Sequence, residues 1–401
     1  MTDIGKVSGG NNFDGDEFKT QRKKDDIELN DISILYTTDK TEDKRSEFAN
    51  SFSLVDVSQS QQGEKFLTSL KENKTALMGR LGLSDEQYDT LACVALGLAS
   101  QETGMGEEKG YVSENTPGVR KWLRDRAKDW GIGGSASASS GVTQMKIYEF
   151  LNEQGKMTPE LQQVLKDFGI TANSKSQNNL YNNPDKAAIA TIVVLKSIND
   201  NYDDYTAMLS DAHKQMEDEI TESPEQLPIL EAKGHEVLNN ILEVYRNAPD
   251  DQKIEIRNGL KMWLLAQNGS KKGQRGVDKG YNEEENLTKF NKILQNNDPN
   301  FEPLTEETLH YIRYALTGEG QAMTPVEYMA YGWNKGTVGT GMQLDRTLAD
   351  KVGTILYDPE EFDYDQFTTN VSMLAEKYAN QSLGYGSLED MNNAFLEDFD
   401  W

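Results

Sequence analysis

Leu91–Met105 reads LACVALGLASQETGM, a run of apolar and small residues that ends on a single acid, Glu102. Upstream, Ser84 with Gln87 three positions on has the form of a capping box, in which each side chain bonds the other's backbone N–H at a helix start. Tyr88, Ala92, Ala95, Ala99 and Glu102 then recur at steps of four, three, four and three, so they share one helical face. The pattern predicts a buried helix with Glu102 at its C-terminal end, just before Gly104 as the helix-ending residue. A carboxyl group in that position is partly withdrawn from water, which favours its neutral form and moves its pKa up toward working pH. A general acid for a glycosidic bond needs that behaviour. A solvated glutamate in the last turn of an ordinary helix is the competing reading.

The rest of the chain reads as helices around that segment. Thr158-Pro159 and Asn183-Pro184 each place a capping side chain before a proline at the first helical position. Ala187–Ile198 (AAIATIVVLKSI) is apolar nearly all round and predicts a central helix that supports the site without doing chemistry. Ile229–Tyr245 and Lys253–Gln267 carry apolar residues at helical spacing, and Asn268–Asn282, rich in Gly and Lys, breaks the pattern as a loop. Thr324 and Glu327 form a second capping box, opening a helix that leads into Tyr331-Gly332-Trp333-Asn334-Lys335-Gly336.

Four of these segments, in this order, resemble the lysozyme-like superfamily of soluble lytic transglycosylases and goose-type lysozymes. Gln101-Glu102-Thr103-Gly104 matches the end of that family's catalytic-glutamate helix. Ser139, Gly141 and Gln144 match its following Ser/Gly/Gln turn, with Thr143 where the family usually has Met. Asn183-Pro184 through Leu195 and Tyr202 match its next helix, and Trp333-Asn334-Lys335-Gly336 matches a closing Ala-Tyr-Asn-x-Gly motif with Trp in place of Tyr. The resemblance spans some 160 of the 401 residues. The separation of Glu102 from Gln144 is longer than in typical members, and about 120 residues intervene between the third and fourth segments.

What the resemblance implies is a mainly α fold: a lysozyme-like helical domain carrying a large helical insertion and polar N- and C-terminal extensions. The expected division is a polar, largely disordered extension over 1–62, the first part of the catalytic core over 63–205, the insertion over 206–323, a return segment completing the cleft over 324–357 and an acidic tail over 358–401. It further implies cleavage of the bond between N-acetylmuramic acid and N-acetylglucosamine in peptidoglycan, with Glu102 as the acid. Ser140, Gly141 and Gln144 would shape the cleft, while Tyr331, Trp333 and Asn334 would supply an aromatic platform and a positioning amide.

Glycosidases with two carboxylates use one as acid and the other as nucleophile or base. The lytic transglycosylase route needs one: Glu102 protonates the bridging oxygen, then takes the proton of the muramyl C6 hydroxyl, which closes on C1 to give a 1,6-anhydro sugar. Glu107, Glu108, Glu114, Asp125 and Asp129 are the nearby acids, with Asp125 the best placed as a second carboxylate. Hydrolysis and transglycosylation both stay open.

Composition narrows the alternatives. Lys and Arg number 41 against 67 Asp and Glu, a net charge of −26, which disfavours general nucleic-acid binding because phosphate neutralisation needs basic clusters. The strongest cluster, Lys271, Lys272, Arg275 and Lys279, falls in the Gly-rich loop. Cys93 is the single cysteine, in an apolar helix, so no intramolecular disulfide forms. His213, His235 and His310 are isolated, with no metal-ligand spacing, and no Gly-rich phosphate loop follows a strand pattern; no metal or cofactor is expected. No run approaches a membrane span and the opening residues are polar from the start, which points to a phage protein carried in a virion rather than an exported enzyme. The expected partners are glycan strands and, through the termini, other virion proteins. In the tail, Leu388, Met391, Phe395 and Phe399 share one face of a helix that either docks on a partner or packs on its own core. Two other classes fit the same sequence: a virion structural or scaffold protein with an inactive lysozyme-like domain, and a helical binding module unrelated to enzymes.

Overall fold

A computed structural model describes residues 60–103, 105, 143, 145, 157–170, 180, 183–220, 224–265, 283–318, 322–335, 367–384 and 386–396. Of this part 84% is helical and none of it is strand, so the fold is mainly α. In chain order the helices are α1 (Gln61–Leu81), α2 (Asp85–Thr103), α3 (Pro159–Asp167), α4 (Pro184–Asn199), α5 (Tyr202–Ile220), α6 (Leu227–Asn247), α7 (Asp250–Leu265), α8 (Glu283–Asn297), α9 (Glu306–Thr317), α10 (Pro325–Lys335), α11 (Phe367–Tyr378) and α12 (Leu388–Asn393).

Local chemistry accounts for where several of them begin. At α2, the Gln87 N–H donates to Ser84 Oγ and the Ser84 N–H donates to Gln87 Oε1, both at 3.1 Å. Thr158 and Asn183 accept from the backbone N–H three residues on, with Pro159 and Pro184 at positions that have no N–H to satisfy. At α10, Thr324 and Glu327 make the same reciprocal pair at 3.0 and 3.3 Å.

Two separate apolar clusters organise the chain. The first gathers α1 to α4, the start of α5, α10, α11 and α12. At its centre α2 is buried on every side from Thr90 to Gln101, and α11 covers it. The contact is backbone to backbone: a β-carbon at Gly97 would sit 2.7 Å from the Val371 carbonyl oxygen and 3.1 Å from the Ala375 nitrogen. The second cluster runs from Leu238 to Leu316, on α6 to α9, within the interval 206–323 read as an insertion. Gly234 is what lets α6 and α9 meet, since a β-carbon there would lie 2.1 Å from the Tyr311 carbonyl oxygen.

Tyrosines fasten the points where the chain leaves the first cluster and returns to it. The Tyr202 hydroxyl donates to the Met323 carbonyl, and the Met323 N–H donates to the Tyr205 hydroxyl, both at 2.8 Å. Tyr205 stacks on Tyr328 with ring centroids 4.8 Å apart.

The structure shows where the described core begins and what the C-terminal helices do. Ser60 is fully buried and α1 starts at Gln61, so the core begins inside the span 1–62; residues 1–59 lie outside the described residues. Within the acidic span 358–401, residues 367–384 and 386–396 are described and pack on the core. Phe367, Val371, Leu374, Ala375 and Tyr378 are buried in the first cluster, as are Leu388 and Met391. Polar bonds stitch the same segment in place: Thr90 Oγ1 donates to the Met391 carbonyl at 3.3 Å, and the Val326 N–H donates to Asn392 Oδ1 at 3.1 Å. Of the two roles open to the last helix, Leu388 and Met391 take the second and pack on their own core, with Phe395 and Leu396 against it. Phe399 and Trp401 lie outside the described residues. Among the described residues no helix is long and apolar enough to cross a membrane.

Candidate active site

Glu102 lies in the last turn of α2 and is partly buried, directly after Ser100 and Gln101, which are both buried. No basic residue shares that last turn. Three residues on, Met105 is buried and holds φ at 60°, a left-handed conformation that strains any residue with a β-carbon. The sequence names Gly104 as the helix terminator, but the left-handed residue in the described part of this turn is Met105. Ser60 closes the turn from the other side: its Oγ donates to the Met105 carbonyl at 2.7 Å and accepts the Gly63 N–H at 2.9 Å.

The second segment is held at Thr143, one of the departures from the family pattern. Thr143 and Thr191 share a 3.0 Å hydrogen bond in the interior, and the Thr191 hydroxyl donates its proton to the Ala187 carbonyl at 2.8 Å. Thr191 has only one proton to give, so Thr143 is the donor of the pair. The bond ties this turn to α4, the helix of the third segment, and satisfies a hydroxyl that would otherwise be stranded among apolar side chains. Met145 joins the first apolar cluster. Ser140, Gly141, Gln144 and Asp125 lie outside the described residues.

The fourth segment forms α10. Gly332 permits its close approach to α4, since a β-carbon there would fall 2.5 Å from Ile198 Cγ2. Tyr331 is 2% exposed and Trp333 9% exposed, and both belong to the first cluster. Tyr331 therefore packs inside rather than presenting an open ring face, which corrects its expected role as a sugar platform. Asn334 falls in the last turn of α10, with its side chain outside the described residues. Tyr202 is likewise a core residue, held by its bond to Met323.

All four segments thus contribute side chains or supporting helices to one buried cluster, and α2 packs against α4, α10 and α11. Cys93 is fully buried, and burial, reinforced by Asp89, pushes its thiol well above the usual range, which suits packing and not nucleophilic attack. Among the described residues no group of His, Cys, Asp and Glu could hold a metal ion. A groove of about 550 Å³ opens on the second cluster between α6 and residues 298–308, lined in part by Asn240, Asn300, Phe301 and Leu304; none of the expected site residues lines it.

The Ser60–Met105 bond had no signal in the sequence, because it joins residues 45 apart with no periodic relation. Thr143 was legible only as a mismatch. Comparison with known protein families, with curated proteins and with solved structures finds no match to this chain.

Proposed function

We propose that this chain cleaves the glycosidic bond between N-acetylmuramic acid and N-acetylglucosamine, with Glu102 as the general acid. The observation that carries the proposal is the setting of Glu102: a partly buried carboxyl at the end of a helix whose preceding twelve residues are all buried. Partial burial is the setting in which a carboxyl can hold the proton that it must donate to a leaving oxygen. Packing of the Thr143 turn and of α10 in the same cluster as α2 supports a common site for the four segments.

Glu102→Gln preserves shape and removes the proton donor. Cleavage of purified peptidoglycan should fall by at least about a hundredfold, the usual scale of general acid catalysis, with the helical circular-dichroism signal unchanged. Activity that survives the substitution rules Glu102 out. Mass analysis of the products separates the routes: anhydromuramyl ends mean the one-carboxylate reaction, and reducing muramyl ends mean a water-activating partner such as Asp125. A native chain that leaves peptidoglycan intact favours an inactive lysozyme-like domain with a structural role.

A further inference from the structure

We propose that Ser60 is a positioning residue for Glu102, a role that rests on the catalytic reading above. The Ser60 hydroxyl has one proton, and it goes to the Met105 carbonyl at 2.7 Å. One of its lone pairs takes the Gly63 N–H at 2.9 Å. The same side chain therefore caps α1 and fastens the turn that follows α2, and both Ser60 and Met105 are fully excluded from solvent. Gly63 brings the two segments together, since a β-carbon there would approach Met105 Cβ to 3.1 Å.

This turn needs fastening. The last turn of a helix keeps fewer backbone bonds than its middle and frays first. Here the fraying end carries the carboxyl whose direction decides whether a proton reaches a substrate oxygen, and errors of about an ångström in such geometry are costly to rate. Met105 at φ 60° adds a conformational penalty that persists only when the surroundings enforce it. Ser60 supplies that enforcement from α1, a 21-residue helix packed along α4 and so a rigid support. The linkage acts on Glu102 from the Met105 carbonyl, three residues on, without contact between Ser60 and substrate. Serine suits the position because it both donates and accepts; alanine does neither, and threonine does both.

The test uses the full chain with S60A and S60T, read by hydrogen–deuterium exchange and by peptidoglycan cleavage. In S60A the amides of residues 101–105 should exchange at least about tenfold faster while those of residues 92–98, in the middle of α2, stay as protected as in the native chain. S60T should restore native exchange. Under saturating substrate S60A should lower kcat about tenfold with KM unchanged, and S60T should recover it; a hydroxyl that serves only as a cap on α1 would raise exchange at residues 61–64 alone and leave kcat intact. Unchanged exchange at residues 101–105 in S60A overturns the proposal. If S60A loses its helical signal, G63A wedges a methyl against Met105 and against the Ser60 side chain itself, loosening their bond with both hydrogen-bonding groups present, and the same exchange pattern is then required of it. If the native chain does not cleave peptidoglycan, the catalytic reading falls while the exchange measurement still decides whether Ser60 holds the Glu102 turn.

Discussion

Gly97 and Gly79 undergo the same substitution with opposite expected results. Both lie inside helices, where alanine is favoured over glycine by about 0.8–1.0 kcal/mol. Gly79 in α1 is exposed and a β-carbon there meets nothing within 4 Å, so Gly79→Ala should stabilise the protein by about that amount. At Gly97 the new carbon would lie 2.7 Å from the Val371 carbonyl oxygen, and both partners are backbone, so no side-chain rotation relieves the clash. Ordinary carbon–oxygen contacts start near 3.3 Å, so α2 and α11 must separate by about 0.6 Å. A gap of that size forfeits about a quarter to a half of the dispersion energy at each contact along the pair. Overpacking of this kind costs about 1–3 kcal/mol. Taking about 3 kcal/mol for a backbone clash and subtracting about 1 kcal/mol of helix propensity leaves Gly97→Ala less stable by about 2 kcal/mol. The two variants should therefore differ by about 3 kcal/mol, or about 6–12 °C in Tm at 2–4 °C per kcal/mol. Thermal melts followed by circular dichroism, with urea unfolding as a check, measure the difference directly. If Gly97→Ala melts at or above the temperature of Gly79→Ala, α11 does not lie against Gly97 and the packing of the first core described above is wrong.

Alkali should unfold the protein in step with tyrosine ionisation. Burial holds the hydroxyls of Tyr88, Tyr202, Tyr205 and Tyr328 above the ordinary range, while Tyr311 and Tyr314 are pushed up to about 12, again chiefly by burial. Below about pH 10 both folded and unfolded chains keep these protons, so stability is flat. Above it the unfolded chain loses protons that the native chain retains, and each of the four core tyrosines removes about 1.4 kcal/mol of stability per pH unit. Phenolate absorbance near 295 nm should rise together with loss of helix; four core tyrosines that ionise in a still-helical protein would refute the burial. A chain ending at Tyr357 should fail to form the first core. It loses Phe367, Val371, Leu374, Tyr378, Leu388 and Met391, which at about 1.5 kcal/mol each amount to about 9 kcal/mol, close to the whole stability of an ordinary domain. Limited proteolysis should then digest α2 and spare the second cluster, and a protease-resistant α2 would contradict its dependence on α11.

Features set by short-range chemistry were legible in the sequence. The Ser84–Gln87 and Thr324–Glu327 boxes and the Asn183 and Thr158 caps each depend on residues three apart, and each forms the bond its spacing announces. Ala187–Ile198, apolar nearly all round, is buried almost throughout. The acid-rich composition of residues 358–401 masked a helical stripe, Phe367, Val371, Leu374, Ala375 and Tyr378, whose period is that of a core helix. Charge summed over a segment says nothing about which face carries it. The aromatic letters of Tyr331 and Trp333 matched a motif without revealing the side they face, and the packing of α10 decided that they turn inward. Bonds such as Ser60 to Met105, and Thr90 to Met391 across 301 positions, have no local pattern to read.

The placement of α11 over α2 has a consequence for synthesis. Residues 85–103 leave the ribosome early, yet the helix that covers them follows about 260 residues later. At about 5–20 residues per second, roughly 13–50 s separate the making of α2 from the making of its cover. Residues 238–316, complete as a cluster of their own, emerge inside that interval and are free to fold first. The nascent chain thus carries the apolar middle of α2, Leu91–Ala99, through the assembly of a separate unit without its full cover, in the condition that draws chaperones and aggregation alike. A ribosome that stalls after α10 and before Phe367 releases a polypeptide in which α2 can still meet α1, α4 and α10, while the face that α11 covers stays open.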